Sequence, residues 1–323
     1  MNVITKINKL IKRIPASVLG RLIIIAIIGL VFRVISKNYL SFQNIVNIIT
    51  DMTPYFIMGM GITFVLLIGS IDLSTGALCS VVACLVAKLL PNFGALAFIF
   101  GLCLGVAGGF ITGLLVAKVK IPSFIATLGM MGIWTTLAYI ISNSVSIVIT
   151  KQNWMYINWA STYVWVMPLS FILAILLWVA LYQVEKSTAF GKGVYAVGVN
   201  ETAASVAGVN VFKIKTLAFV LCGLLSALAG IVIVANFKGS TPIIGNSMNM
   251  KSIAMVVLGG TFLTGGKGGI LSALLGSAII MMIQNGLNLI GVVAYHQDIA
   301  FGILLIITIF VVSDKRDRRS YVK

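Results

Sequence analysis

Thr188-Ala-Phe-Gly-Lys-Gly-Val-Tyr-Ala-Val-Gly-Val-Asn-Glu-Thr-Ala-Ala-Ser-Val-Ala-Gly-Val-Asn-Val211 is a polar stretch that lies between two long apolar runs. Residues 200–207 within it are predicted to form a short separate helix. Asn200 is a suitable N-cap, and Glu201 complements the positive end of a helix dipole. Gly208 favours the left-handed conformation that often follows the end of a helix.

This short helix also carries a row of small side chains. Ala203, Ala204 and Ala207 predict a face that another protein can approach closely. A helix of two turns is unstable alone and needs packing to persist. The alternative is that residues 200–207 are an ordinary loop between two membrane spans.

The composition places the chain in a membrane. It has 323 residues, of which 60% are hydrophobic and 9% charged, as in a protein with many membrane spans. Seven Asp and Glu residues leave few candidates for acid–base catalysis. The net charge of +16 is interpreted through membrane topology, so no nucleic-acid partner is expected. Cys79, Cys84, Cys103 and Cys222 all lie in apolar runs, which predicts small buried side chains and no disulfide or metal site.

The order of the apolar runs predicts an all-α transmembrane bundle of about ten spans, some of them interrupted. The transmembrane domain is expected over residues 19–313, with a polar loop at 184–213. Tails are expected at residues 1–18 and 314–323. The first run is interpreted as a retained span because no small-x-small cleavage site follows it. The eighth run, residues 253–258, is short and broken by a glycine-rich segment.

The distribution of positive charge predicts the orientation. Ten crossings place both termini on one side of the membrane. If that side is the cytoplasm, 17 of the 23 Lys and Arg residues lie inside and 6 outside, as the positive-inside rule requires. Both termini and the 184–213 loop are therefore predicted to be cytoplasmic.

Glycines in two places suggest different roles. Gly101, Gly105, Gly109 and Gly113 recur every four residues, which favours close helix packing in lipid. Residues 259–269 are also glycine-rich, but they lack the Gly-Lys-Ser/Thr ending of a phosphate-binding loop. No nucleotide or other cofactor is expected in this chain. The single histidine, His296, has no partner set for catalysis or metal binding, so an enzyme is not expected.

Polar residues inside the spans have two interpretations. A carboxylate at a helix centre costs about 2.5–3.5 kcal/mol on insertion scales, so Asp72 should not face lipid. The two interpretations are that Ser70 or Asp72 caps the third span and that Asp72 borders a solute path, and both can hold together. Gln284 and Asn288 are four residues apart, hence on one helical face, and either clamp neighbouring helices or face a polar channel. The predicted translocation path comprises Asp72, Ser74, Gln284, Asn285 and Asn288.

Several blocks of sequence resemble the membrane permease of ribose-type bacterial ABC importers. The resemblance covers roughly residues 40 to 312. The matching blocks are residues 69–76 (GSIDLSTG), 122–129 (PSFIATLG), 188–208 around Gly191, Gly198 and Asn200, 222–230 (CGLLSALAG), 256–268 (VVLGGTFLTGGKG) and 285–291 (NGLNLIG).

The resemblance implies an inner-membrane transport subunit that works with other chains. These would be a cytoplasmic ABC ATPase, an extracytoplasmic sugar-binding protein and a second permease copy, as a homodimer or a heterodimer. The cargo would be a monosaccharide, either a pentose or a hexose. Residues 200–208 resemble the coupling helix that docks into the ATPase, through Gly198, Asn200, Glu201, Ala203, Ala204 and Gly208.

Three positions depart from the family pattern. Val199 stands where Gly is usual, Asn249 and Lys251 stand where an acidic pair is common, and Thr135-Thr136 replaces an Arg-Gly step. The replacement of the acidic pair by Asn249 and Lys251 changes the charge there and puts the usual substrate in doubt. The rival hypothesis is a stand-alone secondary transporter or channel for a small polar solute, and a membrane scaffold is more distant. A secondary transporter needs membrane acids for proton coupling, and only Asp51, Asp72 and Asp298 are available.

Overall fold

The computed structural model describes residues 15–312, of which 77% are helical and 3% strand. In chain order the helices are α1 (Ala16–Ile35), α2 (Phe42–Leu67), α3 (Thr75–Phe93), α4 (Leu96–Ala117), α5 (Ser123–Ser142), α6 (Leu169–Ser187), α7 (Ala189–Val199), α8 (Glu201–Val206), α9 (Val211–Phe237), α10 (Asn246–Leu258), α11 (Leu271–Leu289) and α12 (Ala294–Val312). The predicted polytopic helical bundle is confirmed.

Eight of the described helices are long and apolar enough to cross a membrane: α1 to α6, α9 and α11. Helix α12 occupies the place of the predicted tenth span, and α10 that of the eighth. The 13 residues of α10 rise only about 20 Å, which is short of the roughly 30 Å apolar core of a bilayer. The predicted interruption of the eighth span is therefore present as a half-length helix followed by a glycine-rich loop.

The segment between α5 and α6 contains most of the irregular structure. Two 3-10 helices, Lys151–Tyr156 and Asn158–Ser161, lie in it. Strand β1 (Ile147–Val148) pairs antiparallel with β4 (Gly239–Ser240) after α9, and β2 (Tyr163–Val164) pairs with β3 (Met167–Pro168). The first pairing ties this segment to the end of α9.

Helix α9 is the centre of the bundle, packed against α4, α2 and α3. The glycines of α4 make this possible. A Cβ on Gly105 would lie 2.4 Å from the Cβ of Ala227, and one on Gly109 would lie 2.3 Å from the carbonyl oxygen of Phe219. Gly113 faces Thr216 of α9, whereas Gly101 faces Val86 of α3. Three of the four glycines therefore face α9, and one faces α3.

The structure differs from the sequence prediction at one cysteine and at the residue where the first helix begins. Cys79, Cys84 and Cys222 are buried as predicted, but Cys103 of α4 is exposed, so the expectation of a buried side chain is wrong there. Helix α1 begins at Ala16, three residues before the expected domain boundary. The rest of the predicted N-terminal tail and the tail at 314–323 lie outside the described residues.

Candidate coupling surface and solute path

Three capped turns form the polar stretch between α6 and α9. The side-chain oxygens of Thr188, Asn200 and Asn210 each accept a hydrogen bond from the backbone N–H three residues further on, at 3.1, 2.9 and 2.9 Å. Each cap begins a new helix, α7, α8 and α9 in turn. The predicted helix after Asn200 is present, and α7 precedes it as a further helix that the sequence did not indicate.

The far end of α8 has the predicted geometry as well. Gly208 adopts a φ of +87°, and the N–H of Val209 donates to the carbonyl of Ala204 at 3.0 Å. Lys215, in the first turns of α9, donates to Glu201 at 2.5 Å. This ion pair and the two asparagine caps fix α8 at an angle to its neighbours.

The exposed face of α8 differs from the predicted one. Ala204 is buried, with only 5% of its surface exposed, because it faces back toward the bundle. The expectation that Ala204 belongs to the approachable face is therefore wrong, whereas Ala203 and Ala207 are exposed. Val206, which the sequence analysis did not single out, is 86% exposed beside them. The sequence alone shows an apolar residue, Val206, in a polar loop, and this could have indicated a contact surface.

Gly198 lies where α7 meets two other segments. A Cβ at this position would lie 1.8 Å from the carbonyl oxygen of Leu67 and 2.5 Å from the amide nitrogen of Gly266. That amide itself donates to the Leu67 carbonyl at 2.9 Å. The ends of α2 and α7 and the loop after α10 therefore touch through backbone atoms.

Glu185 is a second link between the same segments. Its side chain is 1% exposed. Its carboxylate accepts hydrogen bonds from the Tyr195 hydroxyl of α7 at 2.8 Å and from the Ile270 N–H at 2.6 Å. Lys186 completes the set with an ion pair at 2.7 Å. Because Ile270 is the N-cap residue of α11, the carboxylate also stabilises the positive end of that helix.

The surroundings of Tyr195 keep its phenol protonated, so that the hydroxyl can donate a hydrogen bond. Burial raises the pKa of the Tyr195 phenol, and the hydrogen bond with Glu185 and its negative charge raise it further. The phenol therefore stays protonated across the physiological range. Its oxygen also lies 2.8 Å from the carbonyl of Gly268, in the loop after α10.

Asp72 and Ser74 satisfy each other at the start of α3. The Asp72 carboxylate accepts from the Ser74 N–H at 2.8 Å and from its hydroxyl at 2.6 Å, and both residues are buried. Ser74, and not Ser70 or Asp72, is the N-cap residue of α3, and no side chain among residues 15–312 caps that helix, so the predicted cap by Ser70 or Asp72 is wrong. A place for Asp72 beside a solute path stays a prediction. Next to them, Thr75 donates to Asn249 of α10 at 2.7 Å, and Asn249 donates to the Leu73 carbonyl at 2.6 Å. Asn249 thus joins the first half of α10 to the start of α3.

The three polar residues of α11 separate into two roles. Asn285 exchanges two amide hydrogen bonds with Asn44 of α2, at 2.8 and 3.0 Å, and Asn288 accepts from Gln297 of α12 at 2.7 Å. These two clamp neighbouring helices. Gln284 is different, because its Oε1 is buried with no hydrogen-bond partner among the residues that the structure describes, and its side chain lines a cavity.

Among residues 15–312, no cluster of three or more His, Cys, Asp or Glu side chains is arranged to hold a metal ion. The described features are instead helix breaks, backbone junctions and a polar cavity within an apolar bundle. Together with the apolar spans, they describe a helical membrane bundle with interrupted segments.

The chain belongs to the permease-component family of branched-chain amino acid transport systems, whose model matches residues 44–309. It is 36% identical to the ribose import permease protein RbsC of Escherichia coli K12, over 93% of this chain and 94% of that protein. It is 32% identical to the probable ABC transporter permease protein YphD of the same strain, over 90% and 88%. Its identity to the D-allose transport system permease protein AlsC, also of that strain, is 32% over 89% of both.

No solved structure matches the chain. The family places the protein among ribose-type ABC permeases, as the sequence blocks predicted, and identifies it as a transport subunit, not an enzyme. It also decides against the rival hypothesis of a stand-alone transporter.

Proposed function

We propose that this permease imports a monosaccharide, a pentose or hexose, across the inner membrane of a bacterium. An extracytoplasmic binding protein delivers the sugar, and a separate cytoplasmic ATPase supplies the energy. Two copies, or one copy and a related permease, form the membrane core. The sugar class rests on the relatives, two of which are named for ribose and D-allose transport.

The coupling role rests on one observation, the rigid attachment of α8. Helix α8 is too short to be stable alone, yet capping, an ion pair and the burial of Ala204 hold it in place. It exposes Val206 and two alanines to a partner. A push on α8 reaches the interrupted segments through Gly198 and Glu185 as a rigid-body movement.

Reconstitution tests this function. The chain, an ATPase and a binding protein encoded beside it are placed in liposomes, and labelled pentoses and hexoses are supplied with the binding protein. We expect accumulation that requires ATP and the binding protein together. Accumulation against a gradient by the chain alone, with no nucleotide present, would contradict the proposal.

A further inference from the structure

A cavity of about 420 Å³ lies between α2, α9, α10 and α11. Its volume is within the range of about 300–1,000 Å³ typical of small-molecule sites. Among the residues that line it are Asp51, Tyr55, Asn236, Phe237, Met248 and Gln284. The predicted path included only Gln284 of this set.

Each polar side chain of the cavity wall can accept a hydrogen bond, and two of these acceptors are buried without a donor among residues 15–312. Asn236 Oδ1 and Gln284 Oε1 are both buried, and neither has a hydrogen-bond partner in the described part of the chain. Leaving such atoms unpaired costs about 1–3 kcal/mol each, so a ligand or water that pairs with them is favoured. Asp51 adds a carboxylate that makes no ion pair within residues 15–312. Pro54 has no N–H, so the carbonyl of Thr50 in the cavity wall lacks its helical donor.

This set of acceptors selects a ligand that is rich in donors. Hydroxyl groups of a sugar can donate to the carboxylate and to both amide oxygens at once. An anionic solute is disfavoured, because Asp51 would repel it and neither Lys nor Arg is among the described residues that line the cavity. The rings of Tyr55 and Phe237 supply apolar walls for the carbon skeleton.

The position of the cavity fits a site of entry. Helix α9 starts next to α8 and ends at Phe237 in the cavity wall, 27 residues later. At about 1.5 Å per residue this separates the two by roughly 40 Å, the thickness of a membrane. If α8 meets a cytoplasmic ATPase, the cavity lies on the side where a binding protein releases its cargo.

We infer that this cavity is the first binding site for the imported sugar, with Asp51, Asn236 and Gln284 accepting hydrogen bonds from its hydroxyl groups. The inference rests on the proposed function and adds the residues that recognise the solute.

Uptake of a panel of labelled pentoses and hexoses tests the inference in the complete transporter. The variants are Asn236→Leu, Gln284→Leu and Asp51→Asn. The matched control is Thr136→Val, because Thr136 is an exposed polar residue whose hydroxyl bonds only within α5. We expect each cavity variant to lower uptake of the transported sugar about tenfold, the value of one lost hydrogen bond. The control should transport as the wild type does.

Two further readouts separate recognition from folding and coupling. Asn236 Oδ1 and Gln284 Oε1 bond to no group among residues 15–312, so the leucine variants should melt at or above the wild-type temperature. Stimulation of ATP hydrolysis by the loaded binding protein should persist, because α8 is unchanged. Normal uptake in all three variants would overturn the cavity as a sugar site while leaving the importer intact. A wild-type transporter that moves no sugar of the panel would overturn the proposed function, and this inference with it.

Discussion

Glu185 is a buried carboxylate near the end of a membrane span, where an isolated charge is costly. The charge is compensated by two donors from other segments, the Tyr195 hydroxyl and the Ile270 N–H, and by the neighbouring Lys186 of α6. Its oxygens hold α7 and the start of α11 in one arrangement. A residue with these contacts acts as a connector between the polar stretch and the interrupted helices.

We predict that Glu185→Gln lowers the free energy of unfolding by about 1–3 kcal/mol, because the glutamine NH2 group faces a donor where the carboxylate had accepted. Thermal unfolding of the detergent-solubilised chain measures the effect. Lys186→Ala is the control, since this half-exposed partner should contribute less than about 1 kcal/mol. Equal losses for both variants would show that the ion pair matters and the two hydrogen bonds do not.

Gly198 makes a second prediction at this scale. An alanine Cβ there would overlap the carbonyl of Leu67, so the junction of α2, α7 and the loop after α10 must move apart. We expect Gly198→Ala to destabilise the chain by about 1–3 kcal/mol and to lower transport further than stability alone explains. Gly132→Ala is the matched control, since nothing lies within 4 Å of its Cβ position. Unaltered transport by Gly198→Ala would remove this junction from the coupling path.

The sequence predicted local features of single residues, such as helix caps, but did not predict contacts between residues far apart in the chain. Asn200 as a cap and Gly208 as a left-handed terminus follow from nearest neighbours, so both were predictable. The inward position of Ala204 depends on how α8 docks on the bundle. The link from Glu185 to Ile270 spans 85 residues of chain, and nothing in the one-dimensional pattern joins them.

The long apolar helices were predictable from their hydrophobicity. The glycine-rich helix α7 was not predicted. Helix α7 contains Gly191, Gly193 and Gly198, which lower helix propensity and suggested a loop. The structure gives these glycines another reason. A Cβ on Gly191 would meet the carbonyl of Glu185 at 2.1 Å, and one on Gly193 would meet Ile214 at 2.6 Å. They permit close packing of α7 on its neighbours.

Among whole helices, α8 is the one whose contact with the ATPase can be tested by a single substitution. If its exposed face contacts the ATPase, a charge at Val206 should weaken that contact without unfolding the chain, because the side chain is 86% exposed. We expect Val206→Asp to leave the melting temperature unchanged and to reduce both ATPase co-purification and transport at least about tenfold, since a buried unpaired charge costs several kcal/mol.

The control for this experiment is Val148→Asp, a similarly exposed valine (78%) in strand β1. Strand β1 pairs with β4 at the end of α9 that lies away from α8. The Val148 variant should therefore keep the ATPase. Loss of the ATPase from both variants, or from neither, would argue against α8 as the docking element.

At the scale of the whole molecule, α9 connects two ends with different chemistry. One end carries the capped helices α7 and α8, and the other carries the acceptor-lined cavity. The interrupted segments at the start of α3 and around α10 lie between them and are joined by Asn249. We propose that a movement of α8 reaches the cavity through these segments, in line with alternating access by rigid-body movement.

This arrangement demands one orientation in the membrane, with α8 inside the cell and the segment between α5 and α6 outside. The excess of Lys and Arg near α8 favours it. Single cysteines at Met155, which is 74% exposed in that segment, and at the exposed Ser205 of α8 report the two faces. Cys103→Ala provides the background, since the other three cysteines are buried. In cells that lack the partner proteins, we expect an impermeant maleimide to label Met155→Cys in intact cells. Ser205→Cys should react only after permeabilisation, and the reverse pattern would place α8 outside, where no ATPase can reach it.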